Sequence, residues 1–157
     1  MKILKYPHPL LRGKCQPVKV VDAKFRANVA QMRDLLCESG GVGLAANQVG
    51  LPLKFFVTEF ITFINPTIRR SREWVIDTES CLSFPELVVN VARPMSIDLI
   101  YFDLSGQEFD AITIEGKFAR LIHHEVDHLN GVVLTDRLSD TEKLRSKKLI
   151  NELGYSG

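Results

Sequence analysis

Two histidines four positions apart, in the run His124-Glu125-Val126-Asp127-His128, constrain this chain more than any other feature. Each residue of an α-helix turns by about 100°, so a helix through this run stacks both imidazoles on one face. Two rings so placed can grip one metal ion. Glu125, one step round, can then act as a base towards a water at that ion. The flanking pattern is helical too: Phe118, Leu121, Ile122, Glu125 and Leu129 recur at three- and four-residue steps between Lys117 and Leu129, and Gly131 can end the run. The competing reading is a solvated polar helix face.

A chain of 157 residues with 45% apolar and 25% charged residues suits one domain, spanning 1–157, with an independent core. The net charge of +1 gives no global basic field, so no specific nucleic-acid partner is expected. No stretch approaches the ~20 apolar residues of a membrane span, so no membrane partner is expected. The start, Met1-Lys2-Ile3-Leu4-Lys5-Tyr6-Pro7, lacks the apolar run of a signal peptide. Cys15, Cys37 and Cys81 are scattered and odd in number, which reads as reduced thiols in a cytoplasmic protein.

Pro7, Pro9 and Pro17 predict an extended, turning leading segment. Asp22 can cap a helix that aligns Phe25, Val29, Met32, Leu35 and Leu36 and stops at Ser39-Gly40-Gly41. A glycine-rich stretch to Gly50 leads into a strand at Leu53–Val57. Asn65-Pro66 reads as a turn or an edge. Trp74-Val75-Ile76 and Leu87-Val88-Val89 read as short strands on either side of Cys81. A hairpin joins Met95–Phe102 to Glu108–Ile114 through Asp103-Leu104-Ser105-Gly106. Ser139 or Asp140 can cap a last helix over Thr141–Leu153. The expected fold is α+β, a single domain of mostly antiparallel sheets around the HExxH helix, with an N-terminal and a C-terminal helix.

Two histidines leave a catalytic site one ligand short. In the zinc-protease pattern HExxHxxGxxH the third histidine position falls on Leu134 here. Glu142 opens a charged helix and Glu152 lies nearly at the chain end, so neither is attractive. A thiolate is a good ligand. Cys37 reads as a buried apolar residue on its helix, and Cys15 has no partner pattern. Cys81 stands apart, in Glu79-Ser80-Cys81-Leu82-Ser83-Phe84-Pro85.

Three segments now stand in order: Gly41-Val42-Gly43-Leu44-Ala45-Ala46-Asn47-Gln48, Glu79-Ser80-Cys81-Leu82-Ser83 and His124-Glu125-Val126-Asp127-His128. Together they resemble the signature motifs of the peptide deformylase family, GΦGΦAAxQ, EGCLS and HExDH. Ile3-Leu4-Lys5-Tyr6-Pro7 and Asn65-Pro66 also look like that family, so the resemblance covers nearly the whole chain.

The resemblance implies an enzyme that hydrolyses the formyl group from the N-terminal methionine of newly made polypeptides. By it, Cys81, His124 and His128 hold a divalent metal, commonly Fe(II), with Ni(II), Co(II) or Zn(II) as alternatives that the ligand set does not separate. Glu125 would take a proton from the attacking water and pass it to the leaving amine. Gln48, through its side-chain amide, and Leu82, through its backbone N–H, would donate to the oxyanion. Val42, Gly43 and Leu44 would lie beside an extended N-formylmethionyl peptide, as in strand addition. The methionine side chain would enter a pocket near Leu121 and the His124 ring, lined by the stem of Arg120. Glu79 and Asp127 would hold the ligands in place, with Arg93 as a partner for Glu79.

Two positions depart from the family. Ser80, beside the substrate site, replaces a glycine; were left-handed backbone required there, strain of ~1 kcal/mol would follow. His123 replaces a glutamine and points about 100° from His124, which reads as a packed or hydrogen-bonded side chain. Ser80 is the only feature favouring a catalytically weak, deformylase-like peptide-binding protein, and an HExxH zinc peptidase would need a third ligand other than Cys81. Lys143, Arg145, Lys147 and Lys148 make the last helix partly basic. This reads as a solvated face, although the resemblance allows ribosome contact there.

Overall fold

Asp22 starts the first helix as its position predicts: its carboxylate accepts the Phe25 N–H at 2.7 Å. This is a computed structural model and describes residues 1–155; Ser156 and Gly157, the end of the expected 1–157 domain, lie outside the described residues. Helix α1 (Ala23–Glu38) buries Phe25, Val29, Met32 and Leu36, while Leu35 is only half-buried. Cys37 does not join them. It lies one helical step beyond Leu36 and is exposed, which corrects the expectation of a buried thiol.

Five antiparallel strands follow in chain order within one sheet: β1 (Leu44–Ala45), β2 (Phe55–Val57), β3 (Thr62–Cys81), β4 (Phe84–Phe102) and β5 (Glu108–Glu115). The expected short strands are parts of two long ones. Trp74-Val75-Ile76 lies in β3 opposite Pro94-Arg93-Ala92 of β4, and Leu87-Val88-Val89 lies in β4. Asn65-Pro66 is not a chain reversal either. It interrupts the β3–β4 ladder between Ile64 and Thr67, with Asn65 in left-handed backbone at φ 53°. Proline has no N–H for the ladder, and asparagine tolerates that conformation better than most residues. The Asn65 amide then stands in for a strand neighbour, accepting from Val18 N–H at 2.8 Å and donating to Val18 O at 2.9 Å.

The hairpin of β4 and β5 forms as its pattern predicts, with Ile97 opposite Ile114. Helix α2 (Gly116–Leu129) places Ala119, Ile122, Val126 and Leu129 against Phe56, Phe63, Ile97 and Leu99. Gly131, at φ 75°, follows its end and packs so closely on the Arg12 carbonyl that a Cβ would clash. Leu87, Val89 and Val91 of β4 meet Leu11, Val133, Leu134 and Leu138 in a further cluster. Helix α3 (Asp140–Glu152) starts at Ser139, whose hydroxyl accepts from Glu142 N–H at 3.1 Å. Glu142 is no metal ligand; it accepts from Asn90 N–H at 2.9 Å and so pins α3 to β4. The architecture is the expected α+β one. Among the described residues no helix is long and apolar enough to cross a membrane.

Candidate active site

The end of β3 and the second half of α2 meet at Cys81, His124 and His128, all buried. Their donor atoms lie within 4.8 Å of one another. Cys81 Sγ is 3.2 Å from His128 Nε2, which is 3.1 Å from His124 Nε2. The two rings cross at 77°, on neighbouring turns of one helix face. One sulfur and two ring nitrogens converging on one point are a donor set for a divalent transition metal.

The tautomer of His124 suits this. Its Nδ1–H donates to Glu79 Oε1 at 2.5 Å, which leaves Nε2 for a metal. Glu79 in turn accepts from Arg93 at 2.7 and 3.0 Å and from Arg120 at 3.2 Å. Burial pushes the Glu79 carboxyl up, but the hydrogen bonds from His124 and Arg93 outweigh it and hold it well below the usual range. The expected partnership of Arg93 with Glu79 is therefore present, and Arg93 does more. It is only 1% exposed and also pairs with Asp127, whose other oxygen accepts from Arg137 at 2.5 Å.

His123 is packed away from the three donors. Arg93 Nη1 donates to its Nδ1 at 2.9 Å, Trp74 meets the ring edge-on, and burial pushes its pKa down to about 4. Among the described residues, Cys81 supplies the third donor, and no glutamate downstream does.

Glu125 is 3% exposed, and its Oε2 has no hydrogen-bond partner among the described residues. Burial raises its carboxyl to about 7, against the pull of His124 and Arg93. A cation held by the neighbouring donors would act in the same sense as that pull. Gly43 makes room for this side chain. A Cβ there would lie 2.6 Å from Glu125 Oε1, and the backbone is not left-handed, so space rather than conformational freedom demands the glycine. Gly43→Ala is therefore expected to displace Glu125 and lower turnover by ~10- to 100-fold. Overpacking should cost about 1–3 kcal/mol. Steady-state kinetics beside thermal melting would separate the two effects.

Gln48 sits on a 3₁₀ turn (Ala46–Val49) after β1. Its Oε1 accepts from Ala45 N–H at 2.8 Å, which leaves Nε2 aimed at Ser83 Oγ (3.1 Å) and Cys81 Sγ (3.7 Å). A cleft of about 550 Å³ opens over these groups, with Val42, Gly43, Ser80, Leu82, Leu121 and Arg120 on its walls. Leu44 can meet a substrate only through its backbone, as strand addition requires. Its side chain is fully buried opposite Val57 and reaches no cleft wall. Ser80 is exposed, pairs with Val88 in the ladder and does not adopt left-handed backbone, so the strain considered for it is absent. Arg120 also does more than lend its stem. Its guanidinium ties Glu79 to Val91 O (3.1 Å) and Val75 O (2.6 Å). Sequence reasoning misses Arg137 at this site and gives no role to Ser83 or Lys5, although both stand in segments that resemble the family. Each meets its partner from a separate segment.

Known proteins resemble this chain in sequence and fold. The sequence profile of the polypeptide deformylase family matches residues 1–144. A peptide deformylase of Rhodopirellula baltica is 40% identical over 89% of this chain and 74% of its own length. That of Borreliella burgdorferi is 40% identical over 95% of this chain and 93% of its own. Among solved structures, a Plasmodium falciparum peptide deformylase in complex with inhibitor superposes with a TM-score of 0.92 at 34% identity, covering 99% of this chain and 100% of that one. The Synechococcus elongatus enzyme in complex with actinonin gives 0.92 at 30% identity, over 98% and 86%. With the family profile spanning most of its length, the chain belongs to the polypeptide deformylase family.

Proposed function

We propose that this chain removes the formyl group from the N-terminal formyl-methionine of newly made polypeptides, releasing formate, and that it works with Fe(II) in the cytoplasm. The convergence of Cys81, His124 and His128 beside the buried, unpartnered Glu125 carries the reading. Ni(II), Co(II) and Zn(II) fit the same donors. When bound, the ion polarises the formyl carbonyl and makes water nucleophilic near neutral pH.

The protein supplies the rest. Glu125 takes the proton of the attacking water and returns it to the leaving amine. Gln48 Nε2 and the Leu82 N–H donate to the oxyanion, each worth roughly 3 kcal/mol of barrier. The peptide lies extended along Val42 and Gly43, with the Leu44 contribution confined to backbone. Its methionine side chain lies against Leu121, and Ser80 flanks it from β3. Glu79 and Asp127, held by Arg93, keep the ligands oriented. The basic residues Lys143, Arg145, Lys147 and Lys148 of α3 are offered as a ribosome contact, which co-sedimentation that weakens with salt would support.

The direct test is formate release from formyl-Met-Ala-Ser by protein purified anaerobically with iron or nickel. Absence of formate from protein carrying one metal per chain would overturn the reading. Cys81→Ala is expected to weaken metal affinity by more than ~100-fold, since even the outer partners of ligands are worth 10- to 100-fold. Competition with a coloured chelator measures this. Unchanged affinity would return the site to a peptidase-like one with another ligand.

A further inference from the structure

Three consecutive residues near the start of the chain bond to the two segments that carry the proposed oxyanion pair. Leu4 N–H donates to the Gln48 carbonyl at 2.7 Å, and Tyr6 N–H donates to the Ser83 carbonyl at 2.9 Å. Between them, the Lys5 ammonium donates to the Leu82 carbonyl at 2.6 Å, from the wall of the cleft. Gln48 and Leu82 lie on separate segments, one ending the turn after β1 and the other joining β3 to β4. Their relative position has to be set by something that touches both.

The Leu82 connection is poorly held by its own chemistry. It is a two-residue link with Cys81 facing Phe84, and such links ordinarily use left-handed backbone. Neither Leu82 nor Ser83 has a positive φ. The carbonyls of both are bonded from outside instead, by Lys5 and Tyr6. The leading segment is itself anchored, since the Tyr6 ring stacks on Phe84 at 4.7 Å. Lys5 has no carboxylate partner among the described residues, and its bond to Leu82, though exposed, is short and charge-assisted.

We propose that Leu4–Tyr6 is a strap that fixes the spacing between Gln48 and Leu82, and that Lys5 is its positioning residue. The proposal rests on the reading of those two groups as oxyanion donors. Of the three bonds only that of Lys5 comes from a side chain, so it can be removed while the two backbone bonds stay.

The test is a double-mutant cycle of Lys5→Met and Gln48→Ala on the metal-loaded full chain, with Lys5→Arg as the conservative variant. Lys5→Met is expected to lower kcat about tenfold, short of the ~100-fold that a 1 Å misplacement can cost. KM, metal content and melting temperature should stay near the parent values, and Lys5→Arg should restore most of kcat. In the Gln48→Ala background the effect of Lys5→Met should shrink to about twofold or less, because the two residues act through one geometry. Loss of kcat in Gln48→Ala with none in Lys5→Met overturns the strap alone. Equal Lys5→Met effects in both backgrounds, or a kcat loss that follows a lowered melting temperature and is not restored by arginine, overturn it as well. Full kcat in Gln48→Ala overturns the oxyanion reading itself, a result distinguishable from the others.

Discussion

Glu125→Gln is expected to cut formate release by ~10² to 10⁴-fold while leaving metal content unchanged. Glutamine keeps the shape that Gly43 accommodates but cannot take a proton. The size of the effect follows from how little else is available. Glu125 is 3% exposed, its Oε2 has no partner among the described residues, and it adjoins His124 in the cleft. Burial, aided by Glu79 and opposed by His124 and Arg93, lifts its carboxyl to about 7, and a bound cation would draw it lower, towards the ionised form that a base requires. Stopped assays of formate beside metal analysis would decide the matter. A variant with more than a tenth of parental turnover would remove Glu125 from the role of base.

Arg93→Met is expected to cost about 3–5 kcal/mol, because it leaves Glu79 and Asp127 buried with one cation fewer between them. At about 2–4 °C per kcal/mol for a chain of this size, the melting temperature should fall by about 10 °C. The pH dependence has a definite sign. Both carboxyls are held below their ordinary values in the folded state, so their contribution is present in full above the unfolded pKa, near 4, and is lost as pH falls through the folded pKa. Protonation removes the charge that Arg93 balances, so the gap between parent and variant should narrow as pH falls below about 4. Denaturant melts at pH 7 and at pH 3 would show it. A gap that widens on acidification would mean that Arg93 acts through packing alone.

Much of the site is legible in the sequence, for an identifiable reason. His124, Glu125 and His128 are related by helical spacing, a local rule that needs no partner elsewhere in the chain. The α1 stripe and the β4–β5 hairpin obey similar local rules, whereas in α2 the spacing gives the helix but not its packed face, since Phe118 is exposed and Ala119 and Val126 are buried instead. The long β3–β4 hairpin reads as fragments in the sequence because charged and exposed residues interrupt its alternation, and only pairing along its whole length makes it one element. Cys37 defies local reading for a related reason. Which side of a helix or strand faces the core depends on what packs there.

The sequence by itself determined the motif helix, the cap of α1, the antiparallel character of the sheet and the common face of His124 and His128, since residue type and spacing specify them. Only the tertiary structure decided that Arg93 joins Glu79 to Asp127, that Gly43 is a glycine for the sake of Glu125, and that Lys5 reaches Leu82. The bonds from Lys5 to Leu82, Arg93 to Asp127 and Arg93 to Glu79 join residues 77, 34 and 14 positions apart. The Arg93 bonds draw their energy from burial and charge in an interior that exists only once the sheet and helices have closed on one another, and the exposed Lys5 bond needs the same closure to bring its two segments together.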